Sequence, residues 1–131
     1  MSRTLTLRKA RRLCLKRDVD ALFRRGLPSA MAFPLRAVWH EVEADAGGAP
    51  YKMMAVAPKR RLRHAVDRNR AKRQVREAFR LMQEHLPQTE GRCLHVAFLW
   101  VSDTPQSTDR VKAAMARLLH KISTHPRPAQ Q

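Results

Sequence analysis

Residues 51–101 read YKMMAVAPKRRLRHAVDRNRAKRQVREAFRLMQEHLPQTEGRCLHVAFLWV, and this stretch decides the fold. Tyr51 to Ala57 is an apolar run rich in strand formers, closed by Pro58. A basic loop with Lys59, Arg60, Arg61 and Arg63 follows. A helix is predicted from about Ala65 or Arg68 to about His85, ending before Pro87 and Gly91. Cys93 to Val101 is almost continuously apolar, interrupted only by His95, as expected of a central strand buried on both faces. Strand, helix and strand in that order predict a βαβ crossover.

Working outward, residues 31–39 show period two. Met31, Phe33, Leu35, Ala37 and Trp39 would share one strand face, with Arg36 and His40 on the other. Pro34 lacks a ladder donor, so the strand is expected at an edge or with a bulge. The loop from Glu43 to Pro50, holding Gly47 and Gly48, then suggests a long-loop hairpin with the strand at Tyr51. Upstream, Asp18 is placed to cap a short helix through Arg25, with Val19, Leu22 and Phe23 apolar and Gly26 and Pro28 as the stop. Residues 1–17 read as an extended basic arm. Downstream, Thr108 or Asp109 is expected to cap a last helix with the stripe Val111, Met115, Leu118 and Ile122. Residues 125–131 read as a frayed tail. The expected class is α+β: one domain over 1–131, in the order α-β-β-(β)-α-β-α, with a small, mostly antiparallel sheet packed by helices. The bracketed strand is one hidden in the loop regions.

Charge narrows the function. The 131 residues carry 27 Lys and Arg against 11 Asp and Glu, a formal +16. Residues 1–25 hold nine basic and two acidic side chains, residues 59–80 hold ten and two, and the rest is nearly balanced. Two concentrated blocks point to a polyanionic partner rather than to general solubilisation. No run of 18 apolar residues is present, so a membrane span is not expected. Cys14 and Cys93 are isolated and suit a reducing compartment, giving a cytoplasmic expectation. The six histidines show no metal-ligand spacing, and neither a Gly-rich phosphate loop nor a nucleophile elbow occurs. No catalytic or metal-binding residue is therefore assigned to the chain, and Asp67 reads as a helix cap.

At 100° per residue from Arg68, the residues Ala71, Val75, Ala78, Phe79 and Met82 form one apolar stripe. Arg68, Lys72, Asn69, Arg76, Arg80 and Arg73 fill the neighbouring sector: five cations around one amide. Such a face can meet a phosphate backbone and release its counterions, while Asn69 can read a base edge or ribose hydroxyl. Lys59, Arg60 and Arg61 extend it into the loop. Phe23, Phe33 and Arg36 form a second candidate surface, where aromatics stack on unpaired bases and a cation follows the backbone. Core packing is the competing reading for both aromatics. Trp39 and Trp100, inside apolar runs, are assigned to the core.

The string AVDRNRAKRQVREAFR resembles the signature helix of the protein subunits of bacterial ribonuclease P, through Arg68-Asn69-Arg70, Lys72-Arg73 and Arg76-Glu77. The likeness extends over roughly residues 5 to 123. It implies an α+β sandwich with a left-handed crossover and a helix that contacts a catalytic RNA. It also implies a cleft between the first helix and the sheet for the 5′ leader of precursor tRNA. The implied partners are ribonuclease P RNA and precursor tRNA, with Mg²⁺ bound mainly by RNA and no obligate protein partner. The chain would then assist endonucleolytic removal of the leader, with catalysis by RNA. A ribosomal or other structural RNA-binding protein is the alternative. A DNA-binding protein and an autonomous basic nuclease rank behind it, lacking a helix-turn-helix or zipper and an active site respectively.

Overall fold

The computed structural model describes residues 27–43, 50–86 and 91–124. The expected arm, the expected helix over 18–25 with Phe23, Cys14 and the tail lie outside them. Strands β1 (Ser29–Ala32), β2 (Leu35–Glu43), β3 (Tyr51–Val56) and β4 (Arg92–Trp100) form one sheet in the order β1-β2-β4-β3. Helix α1 (Ala65–Met82) joins β3 to β4, and helix α2 (Thr108–Thr124) follows β4. The β1–β2 and β2–β4 pairings are antiparallel, whereas β3 and β4 run parallel, as the βαβ pattern requires.

Two expectations about the sheet are corrected. The single strand expected around residues 31–39 is divided: Phe33 and Pro34 form a two-residue turn, and Ala32 pairs with Leu35. Proline cannot donate to the ladder, but its carbonyl still accepts, here from the Val101 amide at 2.9 Å. The additional strand is thus β1, ahead of the two expected strands and not between them and the helix, where the expected order placed it. Nor do β2 and β3 form a hairpin. β4 lies between them, pairing Trp39 with Val96 on one side and Met53 with the same Val96 on the other. Its unbroken apolar run fits this interior place.

Alternation on each strand sends one set of side chains to the helices. Leu35, Ala37 and Trp39, with Met53, Val96, Phe98 and Trp100, are buried against Ala71, Val75, Ala78 and Phe79 of α1 and Val111, Met115, Leu118 and Ile122 of α2. Both tryptophans are core, as expected. Phe79 lies between Tyr51 and Phe98, at ring-centroid distances of 6.4 and 5.7 Å. The Tyr51 hydroxyl donates to the Leu86 carbonyl at 2.8 Å and so ties the chain leaving α1 to the sheet. Gln74, in the otherwise apolar stripe, is buried and donates to the Gln106 carbonyl and to Thr108 Oγ1 at 3.0 and 3.1 Å. Its partners answer the cost of burying an amide and fix α1 against the start of α2.

The helix starts also differ from expectation. His64 precedes α1 without a side-chain cap bond, and Asp67 sits inside the first turn, where its charge favours the positive end of the helix dipole. Ser107, rather than Thr108 or Asp109, caps α2, its Oγ accepting from the Arg110 amide at 3.2 Å.

The opposite sheet face carries Met31, Arg36, Val38, His40, Lys52, Met54, His95, Ala97 and Leu99, by the same alternation. Ala97 is buried there, with Leu27, Met54 and Leu99 packed against it. No helix of the described residues is long and apolar enough to cross a membrane.

Candidate nucleic-acid interface

The basic loop is shaped by a turn at Pro58, whose carbonyl accepts from the amides of Arg61 and Leu62 at 3.0 and 3.1 Å. That turn drives Leu62 into the core and leaves Lys59 and Arg60 exposed. Arg68, one turn into α1, reaches back: its Nη1 donates to the carbonyls of Leu62 and Arg63 at 3.0 and 2.9 Å. These bonds fix the loop beside the helix. Arg68 is therefore in large part a positioning residue, which its place in the cationic sector did not reveal.

Arg61 pairs with Asp103 of the turn after β4 at 3.0 Å. Both groups are accessible enough that water and salt weaken the pair, so an anionic ligand can compete for Arg61. Arg80 pairs with Glu77, donating from Nε to Oε1 at 3.0 Å and from Nη2 to Oε2. The Arg80 hydrogen bond holds the Glu77 carboxyl below its ordinary range, burial opposing and the charges of Arg80 and Lys112 assisting. The same bond raises Arg80.

What remains is a set of groups without such partners. The side chains of Asn69, Lys72, Arg73 and Arg76 make no hydrogen bond or ion pair with the described residues, and neither do those of Lys59 and Arg60. Phe79 faces β3 and Gln74 faces the start of α2, so the sector of Lys72, Arg76, Asn69 and Arg73 continues round the helix on the flank away from α2. Arg70 is also exposed but lies about 200° from Arg68, beside Glu77 and off this flank. The Arg-Asn-Arg triplet is split: one member holds the loop, one sits among the cations, one points elsewhere.

The second candidate surface is only partly described. Phe33 is 53% exposed in the β1–β2 turn, which rules out its core reading. Arg36 is exposed on the sheet face opposite α1 and α2, register partner of Met31 and Leu99. Phe33 and Arg36 are thus near one another but not on one strand face. Sequence reading assigned no role to the row beyond them, where Lys52 and His95 are partners and the rings of His95 and His40 meet edge-on at 5.7 Å. Adjacent strands bring these three together from positions far apart in the chain. Among the described residues, no group of three or more His, Cys, Asp and Glu is placed to hold a metal ion.

The Ribonuclease P family profile matches residues 7–123. The ribonuclease P protein components of two Porphyromonas gingivalis strains are each 34% identical over 123 residues, covering 92% of this chain and 88% of the relative. The fold is similar to the RNase P protein of Staphylococcus aureus, with a TM-score of 0.69 at 15% identity over 90% of this chain and all of that one. It is likewise similar to the RNase P protein of Thermotoga maritima, with a TM-score of 0.65 at 19% identity over 84% and 96% of the two chains. A basic βαβ unit whose signature helix frees one cationic flank, matched by family, relatives and fold alike, places this chain in the ribonuclease P protein family.

Proposed function

We propose that the chain is the RNA-binding protein subunit of a ribonucleoprotein endoribonuclease that matures the 5′ end of tRNA. The observation that carries this is the free cationic flank of α1, continued by Lys59 and Arg60 of the loop that Arg68 holds in place. A rigid row of cations without acidic partners keeps its counterions until phosphates displace them. The flank therefore binds the catalytic RNA, with Asn69 at its centre available to a ribose hydroxyl or base edge.

The sheet face opposite α1 and α2 is the surface for the 5′ leader of precursor tRNA. Phe33 offers an exposed ring to an unpaired base, and Arg36 offers a fork to the strand's phosphates. Leader contacts favour precursor over mature product, and the positive charge between two RNAs lowers their repulsion. The chain's own residues do no bond breaking. Its candidate surfaces are cationic and repel divalent cations, so in this reading the ions of hydrolysis belong to the RNA. The proposed site of action is the cytoplasm.

Binding of precursor and mature tRNA to the reconstituted complex tests the leader surface. Phe33→Ala with Arg36→Gln should lower the preference for precursor by roughly tenfold, one good stack and one phosphate contact together, without weakening mature tRNA binding. An unchanged preference would remove these two residues from the leader surface.

A further inference from the structure

Outside the two basic blocks the chain is nearly balanced in charge, yet folding gathers a third set of cations. Helix α2 contains Arg110, Lys112, Arg117 and Lys121 against a lone carboxylate, Asp109. At 100° per residue, Arg110, Arg117 and Lys121 fall within about 40° of one another. Lys121 fixes which flank this is, because its Nζ donates to the Met31 carbonyl of β1 at 3.0 Å. Lys112, on the other flank, is close enough to α1 to help hold the Glu77 carboxyl down. The row therefore borders β1, whereas the free flank of α1 lies on its side away from α2.

The side chains of Arg110 and Arg117 are exposed and make no hydrogen bond or ion pair with the described residues. Exposed Ala113 lies between them and leaves room for a close approach. From Arg110 to Lys121 the row runs about 16 Å at 1.5 Å per residue. That length spans roughly four or five phosphates at an axial rise of 3.4 Å per strand. Packed helices lie about 8–10 Å apart, and with a helix radius of about 5–6 Å on each outer side the two rows are separated by roughly 20 Å. A strand lying along one row does not lie along the other.

We propose that the β1-side flank of α2 is a second RNA-backbone contact, so that one protein molecule holds two RNA strands on opposite sides of its helix layer. This rests on the reading of α1 as an RNA-binding helix. The occupant follows from charge: a row of guanidinium and ammonium groups without interleaved carboxylates suits phosphates and repels basic partners.

Photo-crosslinking of the full-length chain to an unstructured 20-nucleotide RNA tests it, with benzoylphenylalanine placed in separate variants at Asn69 or at Ala113. Both positions should crosslink. Arg110→Gln with Arg117→Gln, which spares the Lys121 bond to Met31, should cut the yield at position 113 by roughly tenfold and leave position 69 unchanged. Arg73→Gln with Arg76→Gln should do the reverse. Circular dichroism should show all variants folded, since the replaced side chains of α2 are exposed. The proposal is overturned if position 113 captures no RNA or captures a second copy of the chain. It is equally overturned if crosslinking there depends on Arg73 and Arg76, since one strand would then serve both helices. Silence at both positions would instead sink the RNA-binding reading of α1 itself.

Discussion

Replacing Arg73 and Arg76 by alanine removes two cations from the free flank of α1 without touching the core, since neither side chain has a partner among the described residues. With Lys59, Arg60 and Lys72, they make a flank of five such cations. If each meets one phosphate, the slope of log K against log salt is roughly −3.5 to −4.5, taking about 0.7 to 0.9 per contact. Raising salt from about 50 to 200 mM then weakens wild-type binding by roughly 100- to 500-fold, and binding of the double variant by only about 20- to 40-fold. Fluorescence anisotropy with the cognate catalytic RNA across that range measures both slopes. Thermal unfolding should coincide within about 0.5 kcal/mol, as for surface changes that break no contact. Equal slopes for the two proteins, with both folded, would refute the assignment of this flank to RNA.

Arg68→Ala should behave differently, lowering stability by about 1 kcal/mol through loss of charge-assisted bonds to the Leu62 and Arg63 carbonyls. Chemical denaturation would show it, and RNA affinity should fall by more than one phosphate contact because the loop loses its anchor. Glu77→Gln should tighten RNA binding roughly two- to fivefold, as a carboxylate leaves the surface beside the cationic flank. The lowered Glu77 pKa gives the wild-type pair a small stabilisation above the carboxylate range, lost as pH falls through it; unfolding of Glu77→Gln should lack that acid-side change. Phe79→Ala opens a cavity between Tyr51 and Phe98 and should destabilise by about 3–5 kcal/mol in urea unfolding.

Helix α1 and strand β4 were legible because their signals are local. Ala71, Val75, Ala78 and Phe79 recur at helical spacing between Pro58 and Pro87, and an apolar run with one histidine has few other uses. Pairing was not legible, because β4 enters between β2 and β3 through contacts far apart in the chain. A proline inside an alternating pattern reads equally as a bulge or a turn, and Phe33-Pro34 proved to be the turn. The cationic flank of α1 followed from angles alone, but the bonds by which Arg68 holds the loop did not, because its partners are carbonyls, which carry no sequence signal. The α2 row escaped notice for a related reason: its charges are spaced seven and four residues apart and gather only when the helix forms.

Cleavage of a precursor tRNA at low Mg²⁺, by cognate catalytic RNA with and without the protein, tests the central claim most directly. The account predicts cleavage at the mature 5′ end only when both are present, reduced when Arg73 and Arg76 are replaced. Tight RNA binding with no stimulation of cleavage would contradict it, and so would cleavage by the purified protein alone.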